Sequence, residues 1–203
     1  MDAITFRFFI SLVAKENLDT RLMDVVTAYL YGSLDNDIYK KILEGYKMSE
    51  TYNPISRSMY FIKLQRSLYG LKQSGRMWYN RLSEYLLKEG FENNPICPFV
   101  FIKKSESRFA FVAVYVDNLN LVGTLEKLTK ITNCLRNEFE MKDLGKTKFC
   151  LGLQIEYLPN GILTHQSTYT KKVLKQFYMN KAHPLSTPMV GRSLDVKKDL
   201  FQP

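Results

Sequence analysis

Two apolar runs joined by an Asp-Asn pair constrain the fold of this chain more than any other feature. Residues 108–114 are rich in aromatic and β-branched side chains without Gly or Pro, and residues 119–122 form a second run that Gly123 closes. Two such runs joined by Asp117-Asn118 predict a β-hairpin, because Asp and Asn tolerate the positive φ of tight turns. The pattern places the carboxylate of Asp117 at the hairpin tip, either as a plain turn residue or as part of a site.

The composition favours one folded domain that meets a polyanion. The chain has 203 residues, of which 45% are hydrophobic and 13% aromatic, so it can bury a sizeable core and is not wholly disordered. Its net charge is +9, from 29 Lys and Arg against 20 Asp and Glu. This excess favours nucleic acid or an acidic membrane surface as the partner, with a merely basic soluble protein as the alternative.

Several function classes lack their sequence signatures. Three scattered cysteines and two histidines give no C-x-x-C pair, zinc ligand set or His-based triad. There is also no Walker-type phosphate loop, dinucleotide fingerprint or G-x-S-x-G motif. Arg7 interrupts the apolar run at residues 3–14, which therefore predicts neither a signal peptide nor a membrane span. We expect an intracellular protein with reduced thiols.

The residue periodicities predict an α+β fold, an antiparallel sheet with helices packed on one face. The predicted helices are residues 2–17, 74–88, 125–139 and a last one capped by Ser167 or Thr168. The predicted strands are residues 20–26, 97–103, the central hairpin, a short strand near Ile38, and a second hairpin formed by 149–157 and 162–165. The inward-facing residues are predicted to be Ile4, Phe8 and Leu12 on the first helix, and Val173, Leu174 and Phe177 on the last.

Two carboxylates, Asp24 and Asp117, lie in apolar strand contexts. An ionised carboxylate in such a place is costly unless it is paired, hydrogen-bonded or bound to a cation. Mg²⁺ takes carboxylate oxygens and shares its remaining positions with water and phosphates. Two Asp on neighbouring strands, a basic surface and no covalent nucleophile favour metal-assisted phosphoryl chemistry. No motif enforces contact between positions so distant in sequence, so the pairing stays open on spacing alone.

Six segments in a fixed order identify a family resemblance. They are residues 23–32 (M-D-V-V-T-A-Y-L-Y-G), 67–74 (S-L-Y-G-L-K-Q-S), 115–117 (Y-V-D), 142–145 (K-D-L-G), 149–152 (F-C-L-G) and 186–188 (S-T-P). Together they resemble the reverse transcriptase of copia-type LTR retrotransposons over nearly the whole chain. The resemblance implies a polymerase palm with partial fingers and the start of a thumb at residues 1–182, followed by a loose tail at 183–203.

The resemblance also implies a site and its partners. Asp24 and Asp117 match the essential ligands of two Mg²⁺ ions, with Mn²⁺ as the alternative, that activate a primer 3′-hydroxyl and stabilise the pyrophosphate leaving group. The implied partners are an RNA or DNA template-primer and a dNTP, without a membrane. The implied compartment is the cytoplasm, in a virus-like particle, or the nucleus.

Four further positions match nucleotide-binding residues of the family. Tyr29 matches the aromatic side chain that lies under the sugar and excludes a ribose 2′-hydroxyl, and its alternative is an ordinary core aromatic. Gly70, Lys72 and Gln73 match the motif that packs against the template and the incoming nucleotide. The alternative for this motif is a loop that enters a helix.

The chain departs from the family pattern at Asn118, where the family has a second Asp, and at Gly75, where the family often has Pro. Asn118 keeps one acceptor oxygen but removes a negative charge, so we expect weaker attraction of Mg²⁺ at this degenerate catalytic position. The family's upstream fingers segment is also expected to be missing. These departures predict a truncated, degenerate copy with impaired activity.

Two other functions compete with an impaired polymerase. A non-catalytic nucleic-acid-binding remnant is supported by the net charge and by a basic set of side chains, namely Lys63, Arg66, Lys72, Arg76 and Arg81. The same residues also fit an ordinary solvated face. The third hypothesis is a transposon-derived reading frame without a biochemical role.

Overall fold

The structure is a computed structural model that describes residues 3–42, 60–105 and 108–182. The chain divides into two compact units with the boundary between Thr164 and His165. The predicted tail at 183–203 lies outside the described residues, as does Asp2, the predicted cap of the first helix. The domain boundary at residue 182 therefore stays a prediction.

The elements agree with the predicted α+β class. The helices are α1 (Ala3–Glu16), α2 (Ser74–Lys88), α3 (Leu125–Glu138) and α4 (Ser167–Gln176), with a short 3₁₀ turn at Ala28–Tyr31. The strands are β1 (Asp19–Val25), β2 (Tyr39–Lys41), β3 (Phe61–Lys63), β4 (Glu92–Asn93), β5 (Val100–Ser105), β6 (Arg108–Tyr115), β7 (Asn118–Gly123), β8 (Met141–Asp143), β9 (Phe149–Cys150), β10 (Leu153–Leu158) and β11 (Gly161–His165).

A six-stranded sheet in the order β4-β5-β6-β7-β1-β8 is the framework of the first unit, and all of its pairings are antiparallel. The predicted central hairpin is confirmed as β6 and β7, and β1 lies beside β7. Strands β11, β10 and β9 form a second sheet, and β2 pairs with β3. The sheet therefore brings the first strand next to the hairpin, although the two are far apart in sequence.

Helices cover both faces of the six-stranded sheet, so the prediction of helices on one face is wrong. On β6, Val112 and Val114 belong to the core that contains α2 and α3, whereas Phe111 and Ala113 pack with Phe9 of α1. Strand β6 is apolar at successive positions, so both of its faces must be covered. The alternation of side chains along the strand assigns each residue to one layer.

The predicted inward face of α1 is wrong at two of its three positions, whereas the third, Leu12, is partly buried against the core that contains Phe9. The buried residues of this helix are Phe6, Phe9, Ile10 and Val13. Ile4 and Phe8, which were predicted to face inward, are 79% and 62% exposed. The helix is apolar around much of its circumference, so periodicity alone did not select the face that meets the sheet.

The second predicted hairpin contains an extra reversal. Leu151 and Gly152 have positive φ of 51° and 77° and interrupt the predicted strand 149–157, so that β9 pairs antiparallel with β10. In the second unit, the predicted last helix is present as α4, but Gln166 occupies the cap position instead of Ser167 or Thr168, and the helix buries none of its residues. The predicted inward face of Val173, Leu174 and Phe177 is therefore wrong for the described residues.

Candidate active site

Asp24 lies near the end of β1, in register with Asn118 on β7 and with Lys142 on β8. Its neighbours Met23 and Val25 are buried in the core against α2 and α3. Side chains alternate along a strand, so Asp24 points to the opposite face and stays half-buried. The apolar residues at the end of this strand therefore pack in the core, and the Asp24 carboxylate lies on the other face, between Asn118 and Lys142 of the two neighbouring strands.

The turn of the central hairpin is Val116-Asp117, one residue earlier than predicted. Tyr115 and Asn118 are the last register pair of β6 and β7, which leaves a two-residue loop. The positive φ, 57°, falls on Val116 rather than on Asp117 or Asn118. A positive φ at the first loop residue is the pattern of a type II′ turn, which normally has Gly there. For a β-branched residue this conformation costs roughly 1–3 kcal/mol.

Hydrogen bonds from two other elements hold this strained turn. The indole Nε1 of Trp78 on α2 donates to the carbonyl oxygen of Val116 at 2.8 Å. The backbone N–H of Val25 donates to the carbonyl oxygen of Asp117 at 2.9 Å. The second bond attaches Asp117 to the residue that follows Asp24. The two predicted metal ligands are therefore brought to the same end of β1 and β7.

The side chain of Asn118 acts directly on Asp117. Its amide Nδ2 donates to Asp117 Oδ1 at 3.0 Å, and both side chains are half-buried. A carboxylate at position 118 could not donate this bond and would repel Asp117 unless a cation lay between them. The amide thus satisfies one of the oxygens that a cation would otherwise use.

The donor set fits a divalent ion that also binds a substrate. Among the described residues, no group of three or more His, Cys, Asp or Glu side chains is gathered to hold a metal. Mg²⁺ commonly binds through one or two carboxylates and completes its shell with water and phosphate oxygens. Asp24 and Asp117 meet that lower requirement, and a triphosphate would supply the remaining oxygens.

Tyr29 lies in the 3₁₀ turn that follows β1 and is covered by an aromatic residue that the sequence analysis did not select. The ring centroids of Tyr29 and Tyr69 are 4.3 Å apart. Burial, and next the negative charge of Asp117, raise the pKa of Tyr69, while the backbone of Tyr29 and Ala28 opposes the shift. Tyr69 therefore contacts the predicted sugar-contacting residue, and the charge of the predicted metal ligand acts on its hydroxyl. The only sequence signal was its place directly before Gly70.

One buried serine holds the loop with Gly70, Lys72 and Gln73 against this turn, and a second closes the loop on itself. Ser67 Oγ donates to the carbonyl oxygen of Tyr29, and Ser74 Oγ donates to that of Leu68, both at 2.6 Å. Gly70 has a φ of +94°, which Gly adopts without strain. Lys72 is exposed, and Gln73 precedes the first residue of α2. The structure thus places this predicted loop beside Tyr29, as a loop that enters a helix.

Most of the predicted basic set is neutralised locally. Three members form ion pairs, which are Lys63 with Asp37 at 2.7 Å, Arg76 with Asp35 at 3.2 Å, and Arg81 with Glu138. Arg66 and Lys72 are exposed, and no ion pair with another described residue is found for either. These two side chains are the members best able to meet a phosphate.

An apolar cavity of about 470 Å³ adjoins the turn and Tyr29. Its lining includes Trp78, Tyr79, Phe99 and Val116. The cavity gives the hairpin tip an open apolar side next to the predicted sugar contact.

Within the described part of the chain, no helix has the length and apolar character needed to cross a membrane.

Known proteins resemble this chain over most of its length. Residues 2–191 match the family described as reverse transcriptase (RNA-dependent DNA polymerase). The retrovirus-related Pol polyprotein from transposon TNT 1-94 of Nicotiana tabacum is 34% identical over 191 residues, which cover 92% of this chain and 14% of that protein. The corresponding polyprotein from transposon RE1 of Arabidopsis thaliana is 30% identical, with 91% and 12% covered. A putative transposon Ty5-1 protein of Saccharomyces cerevisiae is also 30% identical, with 89% and 56% covered. The chain therefore spans a minor part of the two plant polyproteins.

Proposed function

This chain belongs to the reverse transcriptase family, and from that premise we propose that it is the nucleotidyl-transfer region of a copia-type RNA-directed DNA polymerase. Its six-stranded sheet corresponds to the palm of the polymerase. Its substrates are a template-primer of RNA or DNA and a dNTP. The residues that hold the metal are Asp24 and Asp117.

The backbone positions of these two residues, side by side in the sheet, support the proposal most strongly. Asp24 pairs in register with Asn118, and the Val25 N–H binds the Asp117 carbonyl at 2.9 Å. Two residues separated by most of the first unit therefore meet where β1 ends and the hairpin turns. Divalent ions bound there would activate the primer 3′-hydroxyl and neutralise the leaving pyrophosphate.

The neighbouring side chains define where a nucleotide would lie. Tyr29 and Tyr69 offer aromatic surface beside the carboxylates, and we assign them to the sugar of the incoming nucleotide. Lys72, and Arg66 nearer the start of the same loop, offer positive charge for phosphates. Asn118 leaves the site with one negative charge fewer than the family pattern, which weakens the attraction of a divalent ion. The proposed activity is therefore low.

Primer extension tests this function. The full 203-residue chain is assayed on poly(rA)/oligo(dT) with Mg²⁺ and with Mn²⁺, beside the Asp117→Ala and Asn118→Asp variants. We expect weak incorporation that Asp117→Ala abolishes and Asn118→Asp raises. No incorporation by the wild type or by Asn118→Asp, when circular dichroism shows both to be folded, would contradict the proposal.

A non-catalytic nucleic-acid-binding function is the second candidate. It is supported by the hydrogen bond from Asn118 to Asp117, which occupies a metal-binding oxygen, and by Arg66 and Lys72, which are exposed and form no ion pair with the residues that the structure describes. If this function is correct, the affinity for nucleic acid should fall steeply as the salt concentration rises, and Mg²⁺ should not be required for binding. Arg66→Ala and Lys72→Ala should each weaken binding more than Arg76→Ala, because Arg76 is already paired with Asp35. Equal effects of all three variants would contradict it.

A further inference from the structure

Trp78 is the single tryptophan of the chain, and its indole N–H is hydrogen-bonded to the hairpin turn. The residue lies in α2 and is 1% exposed, with its ring edge-on to Phe139 at a centroid distance of 5.3 Å. Its Nε1 donates to the carbonyl oxygen of Val116 at 2.8 Å. One buried side chain thus joins the helical layer to the tip of the hairpin.

The bond acts on the strained residue of the turn. Val116 has a φ of +57°, and its side chain is 47% exposed. Burial of the valine therefore does little to offset the unfavourable backbone conformation. The Val116 carbonyl belongs to the peptide unit that connects Val116 to Asp117. Because a peptide unit is planar, fixing that oxygen also fixes the N–H of Asp117 and the direction in which the residue leaves the turn.

We propose that Trp78 is a positioning residue for the metal ligand Asp117. Its indole N–H fixes the Val116–Asp117 peptide unit, and the Val25 N–H fixes the next one through the Asp117 carbonyl. Asp117 is thereby held between α2 and β1, with its carboxylate at the end of the strand that contains Asp24. This inference rests on the proposed function insofar as the positioned carboxylate binds a divalent ion.

The variant that tests the proposal is Trp78→Phe, which keeps a buried aromatic ring and removes the N–H. Tyr85→Phe is the matched control. Tyr85 lies on the same helix, and its hydroxyl donates to the carbonyl oxygen of Cys134 at 2.7 Å, away from the turn. Both variants remove one bond from an aromatic side chain to a backbone carbonyl.

The first readout is Mn²⁺ affinity, measured from the free Mn²⁺ signal in electron paramagnetic resonance. Trp78→Phe should weaken binding about tenfold, the scale expected for a residue that orients a metal ligand. Tyr85→Phe should bind as the wild type does. If the Trp78→Phe variant is folded and still binds Mn²⁺ with wild-type affinity, the proposal is wrong.

The second readout needs neither metal nor activity. In the ¹⁵N-labelled wild type, the single indole N–H should exchange slowly with D₂O, and the Asp117 amide resonance should move in Trp78→Phe but not in Tyr85→Phe. Fast indole exchange, or an unmoved Asp117 amide, would overturn the proposal even if Trp78→Phe is unstable. If the wild type binds no Mn²⁺ that Asp117→Ala abolishes, the proposed function is contradicted. The Trp78 inference is then still tested by the indole exchange and by the Asp117 amide shift.

Discussion

Asp24 and Asn118 are register partners across β1 and β7, and the Asn118 amide donates to the neighbouring Asp117 carboxylate at 3.0 Å. The polar end of this strand pair therefore contains two carboxylates and one amide that competes for a carboxylate oxygen. Under the proposed function, the charge at position 118 sets how strongly this end of the strand pair attracts a cation.

Asn118→Asp should strengthen divalent metal binding. The change adds a negative charge and removes the amide donor, so affinity for Mn²⁺ should rise about tenfold, or ~1.4 kcal/mol. Isothermal titration calorimetry measures this directly. Asn118→Ala is the control, since it removes the donor without adding charge. If Asn118→Asp binds no more tightly than Asn118→Ala, the charge argument is wrong.

Tyr29→Val should relax discrimination between deoxyribonucleotides and ribonucleotides. Loss of the ring that stacks with Tyr69 opens space for a 2′-hydroxyl. The ratio of kcat/KM for dTTP over UTP, measured by primer extension in the Asn118→Asp background, should fall about tenfold or more. Tyr31→Phe, in the same 3₁₀ turn, loses only the hydroxyl that accepts the Glu140 N–H and should keep the ratio. An unchanged ratio in Tyr29→Val would contradict the assignment of Tyr29 to the sugar.

Gly32→Ala should destabilise the fold. A Cβ at position 32 would lie 2.7 Å from Met77 Cβ and 3.1 Å from the backbone N of Trp78. Forcing this contact between the 3₁₀ turn and α2 should cost ~1–3 kcal/mol. Urea unfolding gives the value. Gly75→Ala is the control, because its Cβ would meet only Tyr29 Oη at 3.9 Å, and it should stabilise the helix by up to about 1 kcal/mol. Equal stability of the two variants would contradict the close packing.

Cys150 should make the stability fall at alkaline pH. Burial raises the pKa of its thiol from 9.0 to about 11, although a hydrogen bond from Asn120 opposes the shift. The unfolded thiol therefore ionises first, so stabilisation is complete below pH 9 and is lost as the pH approaches 11. Urea midpoints measured across this range should fall more in the wild type than in Cys150→Ala. Parallel profiles for the two proteins would contradict the shift.

Much of the fold follows from residue patterns. Helix α2 was predicted at residues 74–88 and is observed at Ser74–Lys88, because its apolar spacing is regular and Gly90 follows it. The central hairpin followed from two runs of strand-forming residues. Its turn was misplaced by one residue, since turn preferences favoured Asp117-Asn118 whereas burial decided the register. Val114 and Leu119 are register partners in the same core, and a one-residue slip would turn one strand inside out.

The candidate site was only partly accessible from sequence. The convergence of Asp24 and Asp117 was inferred from a family resemblance. The separation of the two residues in sequence does not show that their strands are neighbours, because the order of strands in the sheet is set by tertiary packing. Tyr69 and Trp78 were not selected, because their roles depend on contacts with Tyr29 and Val116 across separate elements. The basic set was overestimated for a similar reason, as acidic partners of several members come from distant parts of the chain.

The central claim is that Asp24 and Asp117 bind the same divalent ion. A double-mutant cycle of Mn²⁺ binding tests it most directly, with Asp24→Asn, Asp117→Asn and the double variant, each checked for folding by circular dichroism. If both carboxylates hold one ion, each single variant should lose most of the affinity and the double variant little more, so the losses are strongly non-additive. Strictly additive losses, or a single variant with wild-type affinity, would show that the two residues do not form one site.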